Sequence, residues 1–167
     1  AGVSPDGTAS TTVADLPVGS NPVVATYRGD DVFGASAASP RTVTVSKAAV
    51  DVTLDASDSS TVTGEAVGLT ATVAVRAPGG GAPDGTVQLL VDGNPVGAPV
   101  DVVNGAAAFP PLTTLTAGTH TLRAAYSGSS RYAAGADQRT QDVSPADTTV
   151  ALVANPSPSV QDENVRL

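Results

Sequence analysis

The chain has 167 residues, which is enough for one or two domains, and it contains no cysteine. A disulfide framework and a thiolate metal site are therefore excluded. The net charge is −8, from 16 acidic and 8 basic residues. The basic residues form no cluster, which argues against a nucleic-acid partner.

The first strand pattern in the chain runs from Gly19 to Gly29, and a closely similar pattern runs from Gly118 to Gly128. Alternate residues of the second pattern are apolar on one side and polar on the other, as in a half-buried strand. The tyrosines of the two patterns, Tyr27 and Tyr126, lie 99 residues apart. A duplicated strand of this kind indicates a repeat array.

A second match, between residues 52–69 and 150–167, has a spacing of 98 residues, so one residue is deleted near the strand that ends at Val143. We therefore expect one complete repeat, an earlier repeat represented by its C-terminal part, and a later one represented by its N-terminal strands. Their boundaries are residues 47–145 for the complete repeat, 1–46 for the earlier one and 146–167 for the later one.

Within the complete repeat, short strand patterns alternate with turn signals, as in an all-β sandwich. Tight turns are predicted at Asp92-Gly93-Asn94 and Asn104-Gly105, and an irregular loop at 78–85. No window has a helical period. The predicted strands are Val50–Ala56 resuming at Thr61-Val62, Glu65–Val75, Thr86–Val91, Val100–Val103, Ala106–Phe109, Gly118–Gly128 and Tyr132–Val143.

Period-2 alternation also predicts which side chains pack inside. The structural residues expected on buried faces are Leu69, Leu89, Leu122, Tyr126 and Tyr27. Phe33 and Tyr132 each follow a strand tyrosine by six residues, so we interpret them as a shared packing position, with Tyr132 partly exposed at a loop.

The sequence shows no catalytic constellation. His120 is the sole histidine, its neighbours are threonines without a nearby carboxylate, and Asn21 stands at the matching place in the earlier copy. Because asparagine cannot act as a general base, a structural role for His120 is predicted. The carboxylates at turn edges, Asp84, Asp92 and Asp101, are predicted to cap the local backbone rather than to form an acid–base pair. The chain is therefore expected not to be an enzyme.

Calcium and sugar are the two ligands for which the sequence offers candidate residues. The closest carboxylate pairs are Asp55 with Asp58, Asp30 with Asp31, and Asp162 with Glu163, and none follows the Asp-x-Asp-x-Asp-Gly loop. We interpret the acidic residues as solvated surface groups that keep the chain soluble, so no cofactor is expected. A bound calcium ion is the alternative. Sugar binding needs exposed aromatic rings, of which Tyr132 is the candidate.

The run from Leu115 to Tyr132 has a Gly118-Thr-His120 turn, an alternating strand, Tyr126-Ser-Gly128 and a further aromatic. It resembles the bacterial immunoglobulin-like repeats of surface and secreted proteins. The segment from Ala82 to Gly97 and the opening at Thr148-Thr149-Val150 are similar as well. The resemblance covers nearly the whole chain and implies an all-β, immunoglobulin-like Greek-key sandwich in tandem repeats, with negligible helix.

In such sandwiches a Gly-x-Tyr-x-Cys run marks strand F, and its tyrosine bonds backbone at the corner between strands E and F. Here His120 stands in the tyrosine place and Leu122 in the cysteine place. The hypothesis is that His120 hydrogen-bonds backbone at that corner.

The resemblance implies a non-catalytic spacer, stalk or assembly module of a longer extracellular or cell-surface protein. The alternative is an adhesin or carbohydrate-binding module, including the type that decorates phage particles. The partners implied are neighbouring repeats of the same polypeptide, other copies of the chain, or a cell-surface glycan or protein. Neither nucleic acid nor a membrane span in this stretch is expected.

Overall fold

The computed structural model describes residues 2–153, 158, 160–162 and 164. These residues form twelve β-strands and no helix, which confirms the all-β prediction. The strands are β1 (Gly19–Val23), β2 (Thr26–Tyr27), β3 (Ser36–Ala37), β4 (Arg41–Val45), β5 (Val50–Ala56), β6 (Ser60–Val62), β7 (Leu69–Val75), β8 (Thr86–Val91), β9 (Asn94–Asp101), β10 (Ala106–Ala108), β11 (Gly118–Tyr126) and β12 (Gly135–Ser144).

Strands β5 to β12 form a sandwich of two sheets. One sheet has the order β10-β7-β5, and the other has the order β6-β12-β11-β8-β9. The strand in the middle of the larger sheet, β11, pairs antiparallel with both β12 and β8. This is the place of strand F in an immunoglobulin-like sandwich, so the predicted fold is confirmed.

The core lies between the two sheets, as the alternation predicts. Most inward positions of β7 and β11 are buried, while most of their outward neighbours are exposed. Four of the predicted core residues are buried in one cluster with Val67, Val73, Val87 and Tyr132: these are Leu69, Leu89, Leu122 and Tyr126. With no cysteine in the chain, hydrophobic burial is the main stabilising term of the sandwich.

The first strand of the sandwich changes sheet at its polar interruption. β5 belongs to the three-stranded sheet, whereas β6 pairs in parallel with β12 in the five-stranded sheet. The sequence predicts both segments and the break at Ser57–Ser60 but not the crossing. The crossing makes the first and last strands of the sandwich neighbours.

Both predicted tight turns are present, and both need left-handed backbone. Asp92 and Gly93 have φ of 49° and 84°, and Asn104 and Gly105 have φ of 52° and 79°. These values suit two-residue hairpin turns, in which asparagine, aspartate and glycine are tolerated best. Several strand limits differ from the predictions. The largest differences are that β7 begins at Leu69, β9 runs over Asn94–Asp101 rather than Val100–Val103, and β12 begins at Gly135.

Strands β1 to β4, residues 19–45, form what we call the N-terminal hairpin. β1 pairs with β4, from Gly19 with Val45 to Val23 with Arg41. β2 pairs with β3, with Thr26 opposite Ala37. The predicted single strand over 19–29 is therefore interrupted, and its two parts belong to separate two-stranded sheets.

Two expectations about aromatic residues are wrong. Phe33 is 65% exposed while Tyr132 is 2% exposed, so the two do not share a packing environment. Tyr27 is half-buried, whereas Tyr126 is buried. The physical reason is that a second sheet covers the inner face of β11 and β12, and no second sheet covers the N-terminal hairpin within the described residues.

The predicted strands after residue 146 are not formed in the residues that the structure describes there. Residues 146–153 have no strand, and Val150, Leu152 and Val153 are exposed. Most of the later part of this segment, including Ala154 and Glu163, lies outside the described residues.

Matched substitutions test the difference between the covered and the uncovered hairpin. Leu122→Ala removes a fully buried side chain and is expected to lower the free energy of unfolding of the sandwich by about 2–5 kcal/mol. Val23→Ala, at the matching place in β1, truncates a side chain that is 45% exposed. It should change the free energy of unfolding by less than about 0.5 kcal/mol. Urea unfolding measures both, and equal losses would contradict the assignment of the core.

Candidate functional site

The sole histidine of the chain, His120, lies where β11 meets the turn between β8 and β9. Its Nδ1 is 2.7 Å from Oδ2 of Asp92, and its Nε2 is 2.9 Å from the carbonyl oxygen of Thr116. The second bond matches the hypothesis of a backbone contact at the corner before strand F. The imidazole is mostly buried, with 14% of the side chain exposed.

Asp92 joins the turn to β11 through both of its carboxylate oxygens. Oδ1 accepts a hydrogen bond of 2.8 Å from the amide of Thr121, while Oδ2 faces His120. The amide of Asp92 in turn donates to the carbonyl oxygen of Thr121 at 2.9 Å. The left-handed backbone of Asp92 therefore presents its side chain and its main chain to one strand.

The partners of the ring determine its charge. A carboxylate and a carbonyl oxygen only accept hydrogen bonds, so the doubly protonated imidazolium is the form that satisfies both nitrogens. The hydrogen bond with Asp92, followed by that with Thr116, raises the pKa of His120. The hydrogen bond with His120, followed by that with the Thr121 amide, lowers the pKa of Asp92.

This arrangement is suited to holding backbone together rather than to proton transfer. Both ring nitrogens are engaged in protein contacts, and a general base needs a free nitrogen within reach of its substrate. The sequence interpretation missed Asp92, which is 28 residues from His120. The pairing of Leu122 with Val91 brings them together, and only the register of β8 on β11 reveals it.

At the other end of β11, two buried tyrosines hold the loop of residues 78–85. The Tyr126 hydroxyl donates to the carbonyl oxygen of Asp84, and the Tyr132 hydroxyl donates to that of Gly80 at 3.1 Å. A Cβ atom at Gly81 would lie 2.6 Å from the Tyr132 hydroxyl, so only glycine permits this approach. The loop is thus a packed connection, and Tyr132 offers no exposed ring for a sugar.

Two depressions lie on the surface of the sandwich. One, of about 390 Å³, is an apolar groove between β9 and the connection from β10 to β11, with Leu89, Val96, Phe109 and Pro111 in its lining. The other, of about 470 Å³, is lined by Ser59, Thr121, Gln138, Arg139 and Thr140. Neither lining contains a carboxylate or a histidine, so neither brings together a pair of groups for acid–base chemistry.

Carboxylates do not gather into a metal centre in the described part of the chain, where no three acidic or histidine side chains are grouped to hold an ion. Of the closest pairs, Asp162 with Glu163 includes a residue outside the described ones. Asp30 has another partner, because its Oδ2 accepts a hydrogen bond of 2.7 Å from the Tyr27 hydroxyl.

Comparison with known proteins agrees with this architecture. Residues 53–144, more than half of the chain, match the sequence model of the bacterial Ig-like domain, group 3. The chain belongs to this family. The match begins within β5 and ends at the last residue of β12, so it covers nearly all of the sandwich. Ig-like domains are generally non-catalytic.

One similar solved structure is that of the fibronectin(III)-like modules of CbhA from Clostridium thermocellum. The two chains are 17% identical, and their alignment has a TM-score of 0.47. The alignment covers 84% of this chain and 72% of the CbhA chain. No curated protein matches. Among the described residues of this Ig-like chain, no helix is long and apolar enough to cross a membrane.

The contact between His120 and Asp92 predicts a pH dependence of stability with two limits. The raised pKa of His120 contributes stability that is complete below its unfolded pKa of about 6.5 and is lost as the pH rises through the folded pKa. The lowered pKa of Asp92 contributes stability that is complete above its unfolded pKa of about 3.9 and is lost as the pH falls through the folded pKa. Both contributions are present between these two unfolded values.

The variant His120→Asn isolates the histidine contribution, because asparagine keeps a donor at the corner and does not titrate. The native chain should have a higher urea midpoint at about pH 5.5 than at about pH 8.5, and the variant should lose much of that difference. Since His120 is the sole histidine, no other histidine contributes to the pH dependence of the urea midpoint. An equal pH difference in both proteins would contradict the assignment.

Proposed function

We propose that this chain is a non-catalytic spacer segment of a longer, extracellular Ig-like repeat protein, in which it transmits tension along the polypeptide. Its partners are the neighbouring repeats of the same polypeptide, and it needs no cofactor. The observation that carries the proposal is the parallel pairing of β6, the second part of the first strand of the sandwich, with the last strand, β12. Ser60 lies opposite Asp142, and Val62 lies opposite Ser144.

Parallel terminal strands respond to tension in a particular way. When the two ends of a domain are pulled apart, such strands slide along each other, so several backbone hydrogen bonds must break together rather than one after another. The bonds at this place include Thr63 N to Ser144 O at 2.9 Å and Asp142 N to Ser59 O at 3.2 Å. The Thr63 hydroxyl adds a bond to the same Ser144 oxygen at 3.2 Å.

A second contact joins the first and last strands across the two sheets. The Oδ2 atom of Asp137, on β12, accepts a hydrogen bond of 2.9 Å from the amide of Leu54, on β5. The aspartate thereby satisfies a donor on the free edge of β5. The first strand is consequently held to β12 both before and after it changes sheet.

The linker into the sandwich is short and pinned, which supports a spacer with limited bending. Four residues, 46–49, separate β4 from β5. Ala48 donates to the carbonyl oxygen of Arg131 and accepts from the amide of Ala133, both at 2.9 Å. The Lys47 ammonium donates to the carbonyl oxygen of Ser129 at 2.6 Å. A chain held in this way has few free dihedral angles over which to bend.

The adhesin alternative loses its main support. It rested on an exposed Tyr132, whereas Tyr132 is buried and its hydroxyl donates to the carbonyl oxygen of Gly80. The spacer therefore stands as the proposed function.

Stretching single molecules by their ends tests the proposal. Thr63→Pro removes the amide that bonds Ser144 and is expected to lower the force at which the sandwich unfolds. Thr113→Pro, in the exposed connection between β10 and β11, is the matched control and should leave that force unchanged. If Thr63→Pro leaves the unfolding force unchanged, the pairing of β6 with β12 does not bear the load.

A further inference from the structure

The N-terminal hairpin has the same strand register as the pair β11–β12 of the sandwich. In the sandwich, Gly118 pairs with Val143 and Leu122 with Arg139; in the hairpin, Gly19 pairs with Val45 and Val23 with Arg41. The match continues beyond the break, since Thr26 pairs with Ala37 as Ala125 pairs with Ala136. The hairpin has one extra residue, and these pairs place it between Ala37 and Arg41.

The corner before each first strand is bonded in the same way. Nδ2 of Asn21 donates to the carbonyl oxygen of Pro17 at 2.9 Å, as Nε2 of His120 does to that of Thr116 at 2.9 Å. In both cases the acceptor precedes the donor by four residues. The hairpin has therefore kept a corner that positions strand F in the sandwich.

The turn that follows each strand tyrosine is also the same. Asp30 N donates to Phe33 O at 2.8 Å, and Ser129 N donates to Tyr132 O at 2.9 Å. Oδ1 of Asp30 accepts from the amide of Phe33, as Oγ of Ser129 does from the amide of Tyr132. Each turn also contains a glycine with left-handed φ, 80° in one and 73° in the other. Phe33 and Tyr132 thus occupy the same position on the same scaffold.

What differs is the covering of the inner face. In the sandwich, β5, β7 and β10 cover the inner side chains of β11 and β12, and the linker and the loop 78–85 contact Tyr132. In the hairpin, the corresponding side chains are exposed: Val23 by 45%, Val43 by 41% and Phe33 by 65%. An exposed apolar face on a scaffold built for a sandwich indicates an absent partner sheet.

We propose that the inner face of the N-terminal hairpin binds a three-stranded sheet of the β5–β7–β10 type, supplied with its β7–β8 loop by polypeptide of the same protein that precedes Gly19. The covering sheet completes a second Ig-like sandwich in which Phe33 takes the buried place of Tyr132. The inference rests on the repeat array of the proposed function, and it identifies the surface by which one repeat is closed.

The hydroxyl of Tyr27 is consistent with this assignment. Tyr126 donates to the carbonyl oxygen of Asp84 in the loop between β7 and β8. Tyr27, which has no such loop beside it within the described residues, donates instead to the carboxylate of Asp30 in its own turn. On closure of the sandwich, the Tyr27 hydroxyl is expected to exchange Asp30 for a loop carbonyl oxygen.

A graft of the chain's own strands tests the proposal. Residues 47–117, which contain β5 to β10, are placed directly before Gly19, and the chain then continues to Leu167. The junction reproduces the native step from Ala117 to Gly118. Backbone amides of residues 19–45 should exchange with deuterium about 100-fold or more slowly in the graft than in the native chain, because a closed sandwich protects them. β11 and β12 serve as the internal reference.

Two aspartate variants of the graft provide the matched control. Val23→Asp places a charge on the inner face and should abolish the added protection. Val24→Asp, at the outward position that corresponds to Arg123, should retain it. Fast exchange of residues 19–45 in the graft, with β11 and β12 still protected, overturns the proposal. A native chain that dimerises through a contact sensitive to Val23→Asp overturns it as well, since a second copy then takes the face.

These results are separable from those on the spacer. The stretching experiment concerns the pairing of β6 with β12 in the native sandwich, and the graft leaves that pairing unchanged. A failed graft with an intact mechanical response would remove the docking surface and keep the proposed function.

Discussion

Burial of one face of β11 and β12 against the sheet β10-β7-β5 is the constraint on which the molecule depends. The chain has no disulfide, and it has only five aromatic residues. Most of its core consists of Val, Leu and Ala side chains that are stable inside only when both sheets are present. The N-terminal hairpin shows the converse, because the same register and the same turns exist there while Val23 and Val43 remain exposed.

Polar contacts in this chain serve mainly to fix where strands begin and where loops lie. His120 and Asn21 are chemically different, yet each donates to a carbonyl oxygen four residues earlier. The corner therefore requires a donor of suitable reach and not a titratable group. At His120 the contact with Asp92 adds a charge pair, from which we expect the stability of the sandwich to depend on pH.

Two of the edge strands of the sandwich, β9 and β5, have features that discourage the addition of another strand. β9 contains Pro95, Gly97 and Pro99 and departs from regular pairing with β8 between Val87 and Leu89. The Gln88 side chain donates to the carbonyl oxygens of Val96 and Gly97 there, at 3.2 and 3.3 Å. Proline and irregular pairing discourage strand addition at an edge. In the three-stranded sheet, the carboxylate of Asp137 accepts a hydrogen bond from the amide of Leu54 on the edge strand β5.

The sequence by itself determined most elements of the sandwich, because period-2 alternation and turn residues act over a few neighbours. Val50–Ala56 and Thr86–Val91 were predicted to the residue, as were the turns at Asp92-Gly93 and Asn104-Gly105. The tertiary structure alone decided three things: the change of sheet between β5 and β6, the meeting of His120 with Asp92, and the opposite exposures of Phe33 and Tyr132. Each depends on which distant strand lies alongside, and local patterning carries no information about that. Two hairpins with corresponding strand pairings differ in burial for this reason: a covering sheet lies over one of them, and none of the described residues covers the other.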